Sequence, residues 1–214
     1  MIRPLNFVLI LVPMLLLVFA VGSGAQTYPV KPIRLIVPYT PGGDTDIVAR
    51  HVAPKLGEAL KQQVIVDNRP GAGSLIGTEA MLRAPADGYT LAMGTISSLA
   101  VLPVTKVNVP YDPVKDIAPV ILLTVVPYVL HVHPSIPARS VADLVRLAKS
   151  RPGQMVYATP GIATGVHLTT EYFSSVAGVK LVHVPYKGSA PLMVDFIAGN
   201  ISVVFSTLST TGQH

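Results

Sequence analysis

The alternation of short β-branched runs with amphipathic segments, which begins at residue 33, is the feature that most constrains this chain. The runs at 33–39, 64–67 and 90–95 predict strands, and the segments 44–60 and 74–84 predict helices. Strands that alternate with helices form parallel sheets through right-handed crossovers, so this order predicts an α/β fold. Ligands of such folds bind at the carboxyl ends of the strands.

A second alternation follows farther along the chain. Its predicted elements are a helix at 141–149, a strand at 155–158, a helix at 164–177, a strand at 181–184, a helix at 191–198 and a strand at 201–206. Ser140 and Asp143 form a capping box that marks the start of the first of these helices. In the earlier helix 44–60, Pro54 removes a backbone donor, which predicts a kink or a break.

The apolar stretch 120–132 separates the two alternations. Pro127 makes a helix there unfavourable, and we interpret the stretch as strands that cross between two lobes. The resulting domain prediction is a first α/β lobe at 26–124 and a second at 125–214.

The first 25 residues have the order of a secretory signal peptide. Arg3 precedes an apolar run at 7–21, and the small residues Ser23 and Ala25 suit a cleavage site. A membrane anchor is the alternative, but the run is shorter than the roughly 20 residues that a spanning helix needs. We therefore predict a signal peptide at 1–25 and a periplasmic location.

Composition excludes several classes of function. The chain has no cysteine, which excludes disulfides, thiol catalysis, cysteine metal sites and a lipid anchor on cysteine. Its 16 lysines and arginines exceed its 11 acidic residues, but they are scattered and no tryptophan accompanies them. A nucleic-acid surface is therefore not indicated, whereas a mild attraction for anionic solutes is.

The loop 38–46 lies between a predicted strand and a predicted helix. Gly42 and Gly43 allow a ligand to approach the backbone, and the free N–H groups of the helix favour a carboxylate there. Asp44 and Asp46 are alternatively simple N-caps of the helix.

Other motifs give weaker signals. The loop 71–77 has the spacing G-x-G-x-x-x-G, one residue longer than a dinucleotide fingerprint, and no G-x-S-x-G elbow occurs, so we predict no cofactor.

His131 and His133 are interpreted as ordinary strand histidines rather than metal ligands. His167 either contacts a ligand or packs against Glu171. We interpret the tripeptide Val-Pro-Tyr as strand punctuation at 37–39, 109–111, 126–128 and 184–186.

Several motifs occur together in a fixed order. They are Ile-Val-Pro-Tyr-Thr-Pro-Gly-Gly at 36–43 with Asp46, Val-Asp-Asn-Arg-Pro-Gly-Ala-Gly at 66–73 with Gly77, Pro-Ala-Asp-Gly-Tyr-Thr-Leu at 85–91, and Val-His-Val-Pro-Tyr-Lys-Gly-Ser at 182–189. This combination closely resembles the tripartite tricarboxylate transporter substrate-binding family, also called Bug proteins. The resemblance covers about residues 27–208.

The resemblance implies a periplasmic-binding-protein type II-like fold, with two Rossmann-like lobes joined by crossing strands that close over one solute. It also implies a monomer that delivers a small carboxylate to membrane permease subunits without catalysis. Members hold the carboxylate through two loops with backbone amides, hydroxyls and bridging water. The corresponding site residues, with hydroxyls at the end of the third strand, are Thr40, Pro41, Gly42, Gly43, Asp46, Thr95, Ser98, Thr159, Gly161, Thr164 and His167.

The chain departs from the family pattern at the second loop and near its end. Through the second loop members commonly carry an asparagine, a glycine and a serine pair, whereas this chain has Ile162, Ala163, Gly165 and Val166. Near the end, Ser206 follows Phe205 where an aspartate is usual. Members also continue into a return crossing, so we expect a C-terminally truncated member with exposed apolar surface.

Two alternatives to a transport receptor remain open from the sequence. One is an exported α/β enzyme that acts on a carboxylate, with His167 or Asp46 as general base. The other is a sensor that presents the liganded protein to a receptor partner.

Overall fold

The computed structural model describes residues 27–105 and 108–212. The predicted signal peptide at 1–25 lies outside these residues. Lys31–His214 forms one compact unit, and every element discussed below belongs to it. In the part of the chain that the structure describes, no helix combines the length and the apolar character needed to cross a membrane.

The first sheet occupies the amino-terminal part of this unit. In chain order this part contains β1 (Ile33–Val37), α1 (Asp44–Leu60), β2 (Val64–Asn68), a 3₁₀ turn (Ala72–Ser74), α2 (Leu75–Leu82), β3 (Thr90–Ala92), a π-helical turn (Ser97–Val101) and α3 (Leu102–Val104). The strands are parallel in the order β2-β1-β3, and Leu35 of β1 lies opposite both Val66 and Leu91. The first predicted alternation is therefore confirmed.

The second sheet is mixed. The elements here are β4 (Val129–Val132), α4 (Val141–Ser150), β5 (Val156–Thr159), α5 (Gly165–Ala177), β6 (Val182–Pro185), α6 (Ser189–Ile197), β7 (Val203–Ser206) and α7 (Leu208–Thr211). Their order is β4-β7-β5-β6, with β4 antiparallel to β7 and the remaining pairs parallel. The predicted α/β class is confirmed, whereas the division into lobes at 26–124 and 125–214 stays a prediction.

Neighbouring residues of β7 show how helices cover both faces of the second sheet. Val203 packs in a cluster with Leu144 of α4, and Val204 packs in a different cluster with Leu192 of α6. Side chains alternate between the two faces of a strand, which explains this division. Because all four are at most 2% exposed, each contributes roughly 1.5–3 kcal/mol by burial.

Of the kink or break predicted at Pro54, the break does not occur in α1. It runs without interruption from Asp44 to Leu60. Ala49 and Ala53, which both precede the proline, are buried against Leu35 of the first sheet. This packing holds the turns that lead up to Pro54 in the helix despite the lost backbone hydrogen bond.

The apolar stretch 120–132 forms less strand than expected. Only Val129–Val132 is a strand, and residues 117–128 have no regular secondary structure. A strand needs a neighbour for its backbone groups, and no described segment pairs with 117–128. Val120, Ile121 and Leu122 are consequently more than 70% exposed.

Replacing Ser140 by alanine should destabilise the fold through α4. The Ser140 Oγ atom accepts a hydrogen bond from the Asp143 N–H at 3.1 Å, and loss of such a cap costs about 1 kcal/mol in the free energy of unfolding. Urea titration measures this change. Ser150→Ala, at the last residue of the same helix, is the matched control and should cost less; an equal loss in both variants would contradict the capping role.

Candidate functional site

A cavity of about 300 Å³ lies at the carboxyl ends of strands from both sheets. Tyr39 follows β1, residues 71–74 follow β2, residues 160–163 follow β5, and residues 185–187 end β6 and begin its loop. Leu102 of α3 completes the wall. Parallel α/β sheets bind ligands at this edge, so the cavity is the candidate site.

Two glycine loops of the cavity touch each other. Gly73 has a φ of +63°, and a Cβ atom there would lie 2.3 Å from the Ile162 carbonyl oxygen. On the opposite loop, a Cβ atom on Gly161 would lie 3.5 Å from the Cα atom of Gly73. The first distance is far shorter than any van der Waals contact. Glycine at position 73 therefore allows the two loops to form one wall.

The polar side chains of the wall differ in their hydrogen bonding. The Tyr39 hydroxyl donates to Ser97 Oγ at 3.0 Å, and the Tyr186 hydroxyl donates to the Asp195 carboxylate. Burial and this carboxylate raise the pKa of Tyr186 to about 12, so its hydroxyl stays protonated. In contrast, Ser74 Oγ is buried and has no hydrogen-bond partner among the described residues.

The backbone of Ser74 is also unusual. Ser74 precedes α2 as its N-cap with a φ of +93°, and its side chain makes no capping hydrogen bond. A non-glycine residue in this conformation is strained, and such strain is concentrated at functional sites. The hydroxyl that would normally cap the helix is therefore left for another partner at the cavity wall.

Sequence reasoning missed most of the lining. The missed residues are Tyr39, Gly71, Ala72, Gly73, Ser74, Leu102, Pro160, Ile162, Ala163, Pro185, Tyr186 and Lys187. Two signals pointed to them: the Val-Pro-Tyr tripeptides at 37–39 and 184–186 place their tyrosines on the wall, and the G-x-G at 71–73 follows a strand at the same edge. From sequence alone, the tripeptides indicate strand ends and the G-x-G departs from a dinucleotide fingerprint, so neither motif predicts these residues as lining.

The predicted first loop packs beside the cavity rather than lining it. Segment 40–43, which contains Pro41, faces the start of α6: Cβ atoms on Gly42 and Gly43 would lie 3.7 and 3.8 Å from the side chains of Ala190 and Ser189. Thr40 Oγ1 is buried against Gly188 without a hydrogen-bond partner among the described residues.

Asp46 braces this loop. Its carboxylate accepts hydrogen bonds from the Gly42 N–H at 2.8 Å, from Arg50 at 2.8 Å and from Asn68 at 2.9 Å. Burial alone would raise the pKa of Asp46, but these hydrogen bonds and the charge of Arg50 outweigh it and hold the pKa below its ordinary value. The N-cap of α1 is Gly43, so the interpretation of Asp46 as a simple N-cap is wrong.

Asp44 connects the start of α1 to the end of the second sheet. It accepts a hydrogen bond from Thr207 Oγ1 at 2.5 Å, and Ser209 Oγ lies 3.4 Å away. Burial raises the pKa of the Asp44 carboxyl, although these hydroxyls oppose the shift. This partly buried hydrogen bond connects α1 to the end of β7.

Thr95 and Ser98 lie behind Tyr39 and do not line the cavity. Ser98 Oγ donates to the Thr95 carbonyl and accepts from the Thr95 N–H, both at 3.1 Å. The Tyr39 hydroxyl lies 3.5 Å from Thr95 Oγ1. The two residues therefore support the turn against which Tyr39 rests.

The predicted second loop is held by its own hydroxyls, and of the predicted residues Gly161 lines the cavity. Thr159 Oγ1 and Thr164 Oγ1 donate to the Gly161 carbonyl at 3.1 and 2.8 Å. Thr164 also caps α5 by accepting from the His167 N–H, and the Ala163 N–H donates to His167 Nδ1 at 3.3 Å. These bonds fix the shape of residues 160–164.

His183 lies between two rings behind this loop. It stacks on Tyr157 at 4.7 Å and on His167 at 4.4 Å between ring centroids. Its Nε2 atom lies 2.7 Å from Thr159 Oγ1 and donates to it, because the Thr159 proton goes to the Gly161 carbonyl. Burial, followed by the charge of His167, lowers the pKa of His183.

No cluster of three potential metal ligands occurs within residues 27–105 and 108–212. His131 Nε2 lies 3.2 Å from Thr211 Oγ1, and His133 Nδ1 lies 2.7 Å from Ser135 Oγ. Hydroxyl groups thus occupy one ring nitrogen of each histidine.

Comparison with known proteins matches residues 48–213 to the family described as "Tripartite tricarboxylate transporter family receptor". Protein BugT of Bordetella pertussis is 39% identical over 196 residues, which are 91% of this chain and 60% of that protein. The solved structure of R. palustris Rpa4515 with adipate is 37% identical with a TM-score of 0.84, covering 87% of this chain and 62% of that one. The periplasmic binding protein BugD is 29% identical with a TM-score of 0.80, at the same coverages. The chain thus spans about three fifths of their length.

Replacing Gly73 by alanine should separate the two glycine loops. A positive φ alone costs a non-glycine residue about 1 kcal/mol, and the clash with the Ile162 carbonyl adds to this cost. Urea unfolding should show a loss clearly above that of Gly153→Ala, the matched control. Gly153 has a φ of +74° with no atom within 4 Å of its Cβ position. Equal losses would show that the contact is not tight.

Acidification should destabilise the fold through His183. Its pKa is lowered from 6.5 in the folded state, so the unfolded chain takes up a proton first as the pH falls. The stability is complete above the unfolded pKa and is lost as the pH falls through the folded pKa. We expect a lower Tm at about pH 5.5 than at about pH 7.5, and a smaller difference in His183→Asn. His51→Asn, at an exposed site on α1, should leave the difference unchanged; a similar reduction there would refute the assignment.

Proposed function

Because this chain belongs to the tripartite tricarboxylate transporter receptor family, we propose that it binds a small carboxylate in its cavity for delivery to a membrane transporter. The permease subunits as partners, the periplasm as location and the signal peptide at 1–25 are parts of this proposal. The composition of the first 25 residues supports export, and the receptor description of the family supports the role.

The unpaired hydroxyl of Ser74 is the observation that carries the proposal. Ser74 is 1% exposed, and a buried hydroxyl without a partner is costly unless a ligand satisfies it. The Leu75 N–H, at the start of α2, donates to the Ala72 carbonyl, and the first turn of α2 presents the positive end of the helix dipole. A carboxylate oxygen suits both the hydroxyl and this positive end.

Charge at the rim supports the same ligand class. Lys187 lines the cavity, is exposed, and has no ion-pair partner among the described residues. Its ammonium group therefore attracts anions toward the opening. Rpa4515, whose structure contains adipate, is a relative with a dicarboxylate ligand.

The predicted site residues divide into two roles within this proposal. Gly161 contacts the ligand together with Ser74, because both line the cavity. Thr159, Thr164 and His167 hold the loop that carries Gly161. The remaining predicted residues, Thr40, Pro41, Gly42, Gly43, Asp46, Thr95 and Ser98, support the walls from behind.

The alternative of an exported enzyme has no support from the cavity. The matched family and its solved neighbours are receptors rather than enzymes. Asp46 and His167, the candidate general bases, do not line the cavity. The Asp46 carboxylate is also fully engaged by three donors.

Thermal unfolding with a panel of small carboxylates tests the proposal. A ligand at 100 times its Kd should stabilise the folded state by about 2.7 kcal/mol and raise the Tm accordingly. The panel contains succinate, glutarate, adipate, valerate and benzoate, with chloride as the anion control. The proposal fails when no acid raises the Tm more than chloride does.

Ser74→Ala separates ligand binding from stability in the same assay. Removing an unpaired buried hydroxyl leaves folding nearly unchanged, whereas the lost hydrogen bond should weaken carboxylate binding about fivefold to tenfold. Ser174→Ala is the matched control, because Ser174 Oγ on α5 is also buried without a partner among the described residues and does not line the cavity. Equal affinities in the two variants would remove Ser74 from the site.

A further inference from the structure

We infer that the acid held in this cavity has an apolar body without hydroxyl or amino substituents, and that Ile162 enforces this selectivity. The inference rests on the proposed function, because it names the class of carboxylate that the same cavity takes. It follows from the apolar side chains of the wall, from the engagement of its phenols and from the part of the lining backbone that has no donor to offer.

Aliphatic side chains form most of the wall. Leu102 and Ala163, which are 2% and 6% exposed, belong to one apolar cluster with Val101. The other aliphatic lining residues are Ala72, Pro160, Ile162 and Pro185. Contact with such groups favours an apolar ligand body, since burial of apolar surface stabilises the complex.

The two phenols of the wall are already hydrogen-bonded inside the protein. Tyr39 donates its only hydroxyl proton to Ser97, and Tyr186 donates its proton to the Asp195 carboxylate. Each phenol therefore presents mainly its ring to the cavity. A hydroxyl on the ligand body would have to displace one of these partners to accept a hydrogen bond from a phenol.

Part of the lining backbone has no donor to offer. Pro160 and Pro185 have no N–H group. The N–H groups of Ser74, Ala163 and Tyr186 already donate to other protein atoms. A ligand substituent that faces these residues or the aliphatic side chains would therefore lose its hydrogen bonds with water and gain no protein donor, which costs binding free energy.

The carboxylate itself is provided for separately. Ser74 Oγ and the Lys187 ammonium are the uncommitted polar groups of the lining side chains. The volume of about 300 Å³ is at the lower end for ligand cavities, so the acid is small. The cavity thus offers polar groups for the carboxylate and apolar contacts for the rest of the ligand. This combination fits a carboxylic acid without polar substituents.

Ile162 is the lining residue best placed to set this selectivity. It is 59% exposed, so its side chain stands at the rim where the body of an entering acid passes. It packs in none of the buried clusters, and a polar replacement therefore leaves the core intact. Leu102 and Ala163 contribute to the same wall but also to the core.

Calorimetric titration of the purified full chain with matched pairs of acids tests the inference. The pairs are valerate and 4-hydroxyvalerate, glutarate and 3-hydroxyglutarate, and benzoate and 4-hydroxybenzoate, in which the hydroxyl is remote from the carboxylate. The unsubstituted member of each bound pair should bind at least about tenfold more tightly, as expected for an unpaired polar group. Equal or tighter binding of the hydroxylated members overturns the inference while leaving the proposed function standing. Absence of binding by all six acids overturns both.

Two variants test whether Ile162 is responsible for the preference for unsubstituted acids. Ile162→Asn supplies a donor and an acceptor at the rim and should reduce the ratio of affinities to about threefold or less, since the hydroxyl regains a partner. Ile65→Asn makes the same change on the edge strand β2, away from the cavity, and should leave the ratio unchanged. Unfolding of both variants without ligand confirms that they fold. An unchanged ratio in Ile162→Asn overturns the role of Ile162.

Discussion

The contact between the backbone of Gly73 and the carbonyl group of Ile162 is the constraint on which the cavity depends. It joins a loop of the first sheet to a loop of the second, and neither loop encloses the cavity without the other. Because both loops follow parallel strands, the strands β2 and β5 fix the separation at which this contact forms. A side chain at position 73 would have to push one sheet away from the other.

The hydroxyl groups of this site have two different roles. Thr159 and Thr164 donate their hydroxyl protons to the Gly161 carbonyl, so this loop of the cavity wall is held in shape by its own side chains. Pre-formed walls of this kind reduce the ordering cost of binding. Ser74 differs because its hydroxyl has no partner among the described residues, so it does not brace the wall as the two threonines do.

Local sequence patterns predicted the elements but only part of the site. The strand β7 and the cap at Ser140 depend on residues close in sequence, and both were predictable. The positions of Tyr39 and Tyr186 depend on two loops meeting across the sheets, which no local pattern encodes. The failure at 117–128 has the same origin, since a strand forms only where a partner strand is present.

The hydrogen bond between Asp44 and Thr207 has a consequence for the order of folding. The two residues are 163 positions apart, so the bond closes a very long loop of chain. The amino-terminal end of α1 cannot acquire this partner until Thr207 has been synthesised. Contacts of such high sequence separation slow folding and leave the early part of the chain loosely organised in the meantime. A nascent chain that forms such a contact late stays incompletely folded, and therefore accessible to other proteins, for longer than a chain that folds through local contacts.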